Sequence, residues 1–322
     1  MSPVSFSEKI YAHIVYWKNF IGMIKLMQKI YKKSYKILFS LLKNNFPINV
    51  ELKNGKKYQL RTYHEMDFLM HAQQISNLTF NIRKDEIIIE NQFSKNKLIT
   101  LIFYGGMNNG DIINGVLGDD YSEIDVKNKI VIDIGANIGD TAIYFISKGA
   151  KNVIGVEPFP KNFNLAKKNI LKNKMQENIK LIQSGCSSKS GFIKIDAEKC
   201  DTISTMQENQ KGIKIPIITI EQIIKENNVP KNSILKIDCE GCEYEIIKSM
   251  SKDNFKNFSE IFIEYHYGHK QLTEILRENN FNIKIQKPIA TNVINFILSI
   301  FTYQEINKIG YVGFIHAKKI IE

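Results

Sequence analysis

The chain has 322 residues, with little arginine, little cysteine and no long apolar run. Only three of its 44 basic residues are arginine. Arginine is the side chain that recognises phosphates and base edges with two hydrogen bonds at once. The net charge of +11 is therefore weak evidence for nucleic-acid binding. Four cysteines are too few for a disulfide scaffold and are typical of a reducing compartment. No run approaches the roughly 20 apolar residues of a transmembrane helix, and the start lacks a signal-peptide cleavage pattern. We therefore expect a cytoplasmic protein.

The positive charge is concentrated at the N-terminus. Residues 1–45 hold eight lysines and one acid, Glu8, which accounts for +7 of the net +11. A stripe recurs there at spacings of three and four, as on one helix face, with Gln28 as its polar member: Ile10, Ile14, Trp17, Ile21, Ile24, Gln28, Tyr31, Tyr35, Leu38 and Leu42. We predict a helix or helix pair over residues 8–45, within a basic amphipathic segment 1–47. It either packs on the rest of the chain or lies on an anionic membrane, peripherally at the inner face.

Residues 48–126 predict a small α+β region. Asn54-Gly55 separates two alternating runs, which is a strong signal for a β-hairpin. A helical pattern follows from Glu65 to about Ile75, and the apolar runs at 86–90 and 97–104 are typical of strands.

From residue 127 to 322, short β-rich runs alternate with helical patterns. The runs are KIVIDIG, NVIGVEP, NIKLIQS, SILKIDCEG and EIFIEYH. Strands that alternate with helices join by right-handed crossovers into a parallel sheet covered on both faces. Two more strands are predicted at 281–286 and 310–319, and an apolar insertion at 291–301 is interpreted as core or as a partner surface for the N-terminal helix. The pattern predicts an open α/β sheet.

A glycine-rich turn joins the first of these strands to a helix in VIDIGANIGD, residues 131–140. Gly135 and Gly139 let a ligand approach the backbone, and the helix N-terminus offers free N–H groups. Asn137 stands where a dinucleotide site has its middle glycine, so the ligand depends less on a phosphate cradle. The next strand ends at Glu157, whose carboxylate can accept hydrogen bonds from both hydroxyls of a ribose.

This order of strand, glycine turn, helix and acid-ended strand resembles the class I S-adenosylmethionine-dependent methyltransferases. The resemblance implies a Rossmann-like, mostly parallel sheet with an antiparallel last strand, here preceded by an N-terminal α+β extension. It implies S-adenosylmethionine as the cofactor, with Asp133 and Asp140 facing its sulfonium and ammonium groups, where negative charge is favourable. The expected cofactor-binding residues are Asp133, Gly135, Asn137, Gly139, Asp140 and Glu157.

A second motif narrows the resemblance to one family. Residues 218–250 resemble the signature of FkbM-type methyltransferases, a Thr-(Leu/Ile)-acid segment followed by Lys-Ile-Asp-x-Glu-Gly-x-Glu before a helix. The second part of the signature falls on Lys236, Asp238, Glu240, Gly241 and Glu243. With the glycine turn and the closing strand, the resemblance covers about 125–319. It implies O-methylation of a sugar, a glycan or glycolipid, or a small molecule.

Four side chains at strand ends are the expected catalytic residues. Asp238 and Glu240 stand two apart at the carboxyl end of a strand, so both point to the same side of the ligand edge. Glu264 and His266 follow the same alternation at the end of the next strand. A hydroxyl deprotonated by His266 or by an acid would attack the methyl group, with Glu264 orienting His266. Alternatively, a divalent cation on Asp238 and Glu240, joined by the other two, would acidify the hydroxyl.

Missing motifs weigh against other methyl acceptors. The sequence has no Asn-Pro-Pro-Tyr or Asp-Pro-Pro-Tyr run for amino-group methylation and no Pro-Cys motif for cytosine C5. The remaining alternatives are an RNA methyltransferase that binds RNA with the basic N-terminus, and a non-catalytic adapter bound to a membrane or partner through residues 8–45 and 291–301.

Four thiols are interpreted as free and buried rather than as zinc ligands: Cys186, Cys200, Cys239 and Cys242.

Overall fold

The computed structural model describes residues 4–43, 45–94, 97–109, 112–118, 120–196, 212–291, 293 and 309–320. Apart from residues 291 and 293, the predicted apolar insertion at 291–301 lies outside the described residues. Cys200 also lies outside them.

Two helices begin the chain, α1 (Phe6–Ile30) and α2 (Ser34–Leu42), which confirms the predicted helix pair. A capping box starts α1, because the Ser5 hydroxyl accepts from the Glu8 backbone N–H while the Glu8 carboxylate accepts from the Ser5 backbone N–H. The pair breaks where Lys33 takes a left-handed φ of 53°.

The packed face of α1 differs from the predicted stripe. The buried residues of the helix are Ala12, Met27 and Ile30. By contrast, Ile10, Ile14, Trp17 and Ile21 are 39–63% exposed. Both sides of α1 are apolar, so periodicity alone could not choose, and the small side chain of Ala12 allows close packing on Ala290 and Val293. Among the described residues, no helix is both long and apolar enough to cross a bilayer.

The next region adds a hairpin, one helix and a small sheet. The hairpin predicted around Asn54-Gly55 is confirmed as β1 (Ile48–Glu51) and β2 (Lys57–Leu60), and Gly55 has a φ of +86°. The other elements are α3 (Tyr63–Ala72), the antiparallel strands β3 (Leu78–Asn81), β4 (Glu86–Ser94) and β5 (Lys97–Tyr104), and a π-helix (Ile112–Leu117). The predicted helix and the two predicted strands are thus present.

Strands and helices then alternate as predicted. In chain order they are β6 (Ile130–Ile134), α4 (Asp140–Ser147), β7 (Asn152–Val156), α5 (Pro160–Lys172), β8 (Ile179–Ile182), β9 (Gly185–Cys186), β10 (Gly191–Ile195), β11 (Ile213–Ile218), α6 (Ile220–Glu226), β12 (Ser233–Ile237), α7 (Glu243–Ser249), α8 (Lys252–Phe255), β13 (Phe258–Tyr265), α9 (Lys270–Glu278), β14 (Phe281–Ile285), β15 (Ile289–Thr291) and β16 (Gly310–Lys319). Strands β9, β10 and β11 form a separate small sheet that the sequence pattern did not predict.

The main sheet has the order β14-β16-β13-β12-β6-β7-β8. Strands β8, β7, β6, β12 and β13 are parallel, and β16 runs antiparallel to both of its neighbours. The predicted Rossmann-like class I methyltransferase fold is therefore confirmed. The chain moves outward from β6 to β8 and then returns to place β12 on the other side of β6. Ligands of open α/β sheets bind at such a switch point, beyond the carboxyl ends of the strands.

The N-terminal elements share a hydrophobic core with the main sheet. One buried cluster joins Met27 of α1, Leu69 of α3 and Phe103 of β5 to Val131 of β6 and Phe262 of β13. A second cluster, which includes Ile132, Ile237 and Ile263, fills the other side of the sheet. The N-terminal elements are thus packed onto the sheet that carries the candidate site.

Candidate active site

The glycine turn after β6 lies directly against the end of β12. Gly135, Asn137 and Gly139 all have positive φ, at +79°, +45° and +80°. A Cβ atom on Gly135 would lie 1.7 Å from the carbonyl oxygen of Asp238, and one on Gly139 would lie 3.2 Å from the Cβ of Ala166. Only glycine fits at position 135, because any side chain would push the two strand ends apart.

Glu157 follows β7 and holds this turn in place. Its two carboxylate oxygens accept from the backbone N–H groups of Asn137, at 3.0 Å, and Phe159, at 2.9 Å. Burial raises the pKa of Glu157 to about 8, although both hydrogen bonds favour its ionised form. Glu157 and Asn137 line one pocket, and the buried Oδ1 of Asn137 has no hydrogen-bond partner among the described residues. The pocket therefore offers two acceptors to a ligand, which fits the ribose hydroxyls and ammonium group of S-adenosylmethionine.

Several residues of this pocket were missed by the sequence reasoning. They are Phe159, Asn162, Ser184, Gly185 and, as a lining residue, Cys186. All follow β7 or β8 at the same carboxyl edge as Glu157. Position after a strand was therefore the signal that could have identified them.

Asp133 and Asp140 are not placed as the resemblance implied. Asp133 is fully buried, where its Oδ2 accepts from the Thr141 hydroxyl at 2.5 Å and its Oδ1 lies 3.0 Å from Nζ of buried Lys236. Lys236 also donates to the carbonyl oxygen of Gly135 at 3.1 Å. Asp140 is buried in the first turn of α4, and neither aspartate is among the described residues that line the pocket. Their direct contact with the cofactor stays a prediction, while Asp133 anchors the lysine that braces the turn.

Substituting Glu157 by Gln is expected to weaken S-adenosylmethionine binding about 10- to 100-fold, because the amide replaces one acceptor oxygen with a donor. Isothermal titration calorimetry measures the change. Glu177→Gln, which alters an exposed acid after α5, is the matched control and should bind as the unmodified chain does. An unchanged dissociation constant in Glu157→Gln would remove Glu157 from the cofactor site.

His266 lies just beyond β13, held between two carboxylates. Its Nδ1 lies 3.0 Å from Oε1 of buried Glu243, which also accepts from the His266 backbone N–H at 3.1 Å. Its Nε2 lies 3.1 Å from Oε2 of Glu240 and 3.7 Å from Oε1 of Glu264. Of the three carboxylates near His266, Glu264 is thus the most distant, and its expected role in orienting the ring stays a prediction. Glu243 holds both the ring and the backbone N–H of His266, although its position also fits an ordinary first-turn helix acid.

A tight turn between β12 and α7 carries Glu240. Glu240 and Gly241 have φ values of +56° and +115°, and the Gly241 N–H donates to Oε2 of Glu243 at 2.8 Å. Cys239 and Cys242 form a disulfide across this turn, with Cα atoms 5.5 Å apart. The prediction of free thiols is wrong for these two residues, because the turn brings cysteines three positions apart together. Cys186 is free and buried, as predicted.

The carboxylates shift the proton affinities within this cluster. Burial alone would lower the pKa of His266, but hydrogen bonds and charge from Glu240 and Glu243 outweigh burial and raise it to about 11. Burial raises the pKa of Glu264 well above its ordinary value, and the charges of Asp238 and Glu240 raise it further. The cluster therefore places a histidine whose pKa is raised beside a carboxylate whose affinity for a proton is raised.

The four expected catalytic residues meet at one place. Asp238, Glu264 and His266 each offer one ligand atom, and these atoms lie within 4.8 Å of one another. Glu240 contacts His266 and lines the cofactor pocket together with Asp238. The cluster thus borders the cofactor pocket, where a methyl donor and an acceptor would meet.

Comparison with known proteins agrees with this geometry. The family model for the methyltransferase FkbM domain matches residues 133–283. The chain contains an FkbM-type methyltransferase domain. This is a domain of S-adenosylmethionine-dependent methyltransferases, as the sequence motifs predicted.

Two named relatives match about half of the chain. Hexuronic acid methyltransferase AglP of Haloferax volcanii is 27% identical over 164 residues, 50% of this chain and 66% of that protein. Methyltransferase sdnD of Sordaria araneosa is 20% identical over 172 residues, 43% of this chain and 66% of that protein. The chain thus spans just under two thirds of the length of each. Among solved structures, M. capricolum TrmK with S-adenosyl-homocysteine is 17% identical in sequence, with a TM-score of 0.39. The match covers 64% of this chain and 69% of the TrmK chain.

Proposed function

We propose that the chain transfers the methyl group of S-adenosylmethionine to a hydroxyl oxygen of a sugar, in a glycan, a glycolipid or a small molecule. The observation that carries this proposal is the cluster of Asp238, Glu240, Glu264 and His266 beside the pocket of Glu157. A hydroxyl must lose its proton to become a good nucleophile, so the site needs a proton acceptor next to the methyl donor. The similarity to a hexuronic acid methyltransferase supports a sugar acceptor.

We assign the role of proton acceptor to Glu264. His266, with its pKa raised to about 11, is already protonated at neutral pH and cannot accept another proton. Burial and the charges of Asp238 and Glu240 raise the pKa of Glu264 above its ordinary value, which makes its ionised form a stronger base than an ordinary carboxylate. The hydroxyl oxygen would attack the methyl carbon in line with the departing sulfur while Glu264 takes the hydroxyl proton. The His266 imidazolium then positions the acids, since it binds Glu240 and lies near Glu264.

A divalent cation on Asp238, Glu264 and His266 is a second arrangement that the cluster supports. The contact of His266 Nδ1 with Glu243 leaves Nε2 facing the carboxylates, as in carboxylate–histidine–metal sites. Such a cation would acidify the acceptor hydroxyl directly.

Chelation separates the two arrangements. With Glu264 as the base, turnover after treatment with EDTA and dialysis is expected to stay within about twofold of the untreated value, because no step of general-base catalysis needs a metal. Methyl transfer is measured before and after treatment, and again after Mg²⁺ or Mn²⁺ is added. A loss of turnover that either ion restores would replace the base mechanism with the metal-assisted one.

The acceptor class is tested with isotopically labelled S-adenosylmethionine. A saccharide that contains hexuronic acid, a neutral saccharide and RNA are incubated with the protein in parallel, and the products are examined by mass spectrometry. Label is expected in saccharide and not in RNA. Label in RNA, with binding that falls steeply as salt rises, would support the RNA methyltransferase instead.

A further inference from the structure

Helix α1 exposes an apolar stripe over about four turns. Phe6, Ile10, Ile14, Trp17 and Ile21 are 39–80% exposed, although large apolar residues usually lie in the core. They line a surface groove of about 1000 Å³. An exposed apolar patch of this kind marks a docking surface.

The same groove is basic. Lys9, Lys18 and Lys25 line it, and Lys18 and Lys25 are exposed. The only acid of residues 1–43 is Glu8, whose carboxylate binds the Ser5 N–H at 2.8 Å and lies 2.7 Å from His269 Nε2. Lysines beside apolar and aromatic side chains complement an anionic bilayer, because its phosphates attract the lysines and its acyl chains accommodate the apolar and aromatic side chains.

The groove reaches the candidate active site at the N-terminal end of α1. Tyr311 lines the groove and forms a backbone bridge with Tyr267, which directly follows His266. The contact between Glu8 and His269 fixes α1 to the same segment, three residues after His266. A lipid headgroup beside this end of α1 would therefore lie next to the catalytic cluster.

We propose that α1 docks on an anionic lipid bilayer through this groove and presents the active site to a lipid-linked sugar. The choice of acceptor rests on the proposed function, whereas the docking itself does not. Two other occupants of the groove are outcomes of the test, namely residues 294–308 of the same chain and a second copy of the protein.

Trp17 is the only tryptophan of the chain, so its fluorescence reports on this face alone. With vesicles of phosphatidylcholine and phosphatidylglycerol, its emission is expected to shift to shorter wavelength and to become protected from acrylamide. Pure phosphatidylcholine vesicles should produce neither change. Lys18→Glu combined with Lys25→Glu should weaken vesicle binding at least about tenfold, because it removes two charges attracted to the surface and adds two that are repelled.

Ile14→Ser combined with Ile21→Ser tests the apolar contribution and should also reduce binding. Phe192→Ser and Lys151→Glu change an exposed aromatic residue and an exposed lysine away from α1, and they should bind vesicles as the unmodified chain does. S-adenosylmethionine binding and the melting temperature report whether each variant is folded.

An absence of any response to anionic vesicles would overturn the docking proposal. Protection of Trp17 from acrylamide in buffer without vesicles would also overturn the docking proposal. Protection independent of protein concentration would assign the groove to residues 294–308, and protection that grows with concentration would assign it to a second copy. Vesicle binding needs no methyl transfer, so failure of the sugar assay and failure of docking are separate results.

Discussion

Replacing Glu264 by Gln is expected to lower the turnover number for methyl transfer by at least about 100-fold, because the amide cannot accept the hydroxyl proton. Affinity for S-adenosylmethionine should be preserved, since Glu264 is not among the described residues that line the cofactor pocket. Single-turnover kinetics with labelled cofactor, together with calorimetry, separate the two effects.

His266→Ala should lower turnover in the same way, because it removes the cation that holds Glu240 and lies 3.7 Å from Glu264. His71→Ala is the matched control, since His71 is a half-exposed histidine of α3 that contacts Asp67 outside the cluster. Nearly normal turnover in both Glu264→Gln and His266→Ala would contradict the assigned roles and move the reaction away from these residues.

Substituting Gly135 by Ala is expected to abolish measurable cofactor binding and to lower the melting temperature. The new Cβ would lie 1.7 Å from the carbonyl oxygen of Asp238, so the turn after β6 and the end of β12 would have to separate. The left-handed backbone at position 135, with a φ of +79°, also costs a residue with a side chain about 1–2 kcal/mol of conformational free energy. Calorimetry and thermal unfolding measure the two losses.

Gly191→Ala is the control for this substitution. Gly191 lies in β10, has no heavy atom within 4 Å of a built Cβ and is not among the residues with positive φ. Alanine there should leave cofactor binding unchanged and shift the melting temperature by no more than about 2 °C, as for other substitutions at open surface positions. If Gly135→Ala behaved like this control, the contact between the two strand ends would not define the site.

The fold and the meeting of the candidate catalytic residues could be predicted because both depend on local patterns. The alternation of strands and helices indicated a parallel sheet, and the carboxyl ends of parallel strands share one edge. Asp238 and Glu240 follow β12, Glu264 lies at the end of β13 and His266 directly after it, and these strands are neighbours. Position at a strand end was therefore enough to bring the four side chains together.

The contacts within the site depend on register and turn geometry, which no local pattern contains. Asp133 and Lys236 are direct partners in the register of β6 and β12, so their side chains meet inside the sheet rather than in the pocket. Glu243 reaches His266 only because the turn at Glu240 and Gly241 reverses the chain. The same turn brings the two cysteines of the disulfide together.

The N-terminal helix shows a second limit of prediction from the sequence, which concerns the face of the helix that is buried. Its periodicity correctly predicted a helix or helix pair, but apolar residues occupy more than one face of α1. Packing of Ala12 against Ala290 and Val293 chose the buried face, and these partners are nearly 280 residues distant along the chain. A contact this far apart in sequence leaves no trace in the local pattern, so only the structure could show which apolar residues of α1 stay exposed.

The central claim is that a methyl group passes from S-adenosylmethionine to a sugar hydroxyl beside Glu264. Carbon-13 NMR of the product formed with methyl-labelled cofactor tests it most directly, with Glu264→Gln assayed in parallel. The expected result is a labelled methyl group bonded to a sugar oxygen, formed in equal amount to S-adenosyl-homocysteine and lost in the variant. A labelled methyl group bonded to nitrogen or carbon, or equal product from the variant, would contradict it.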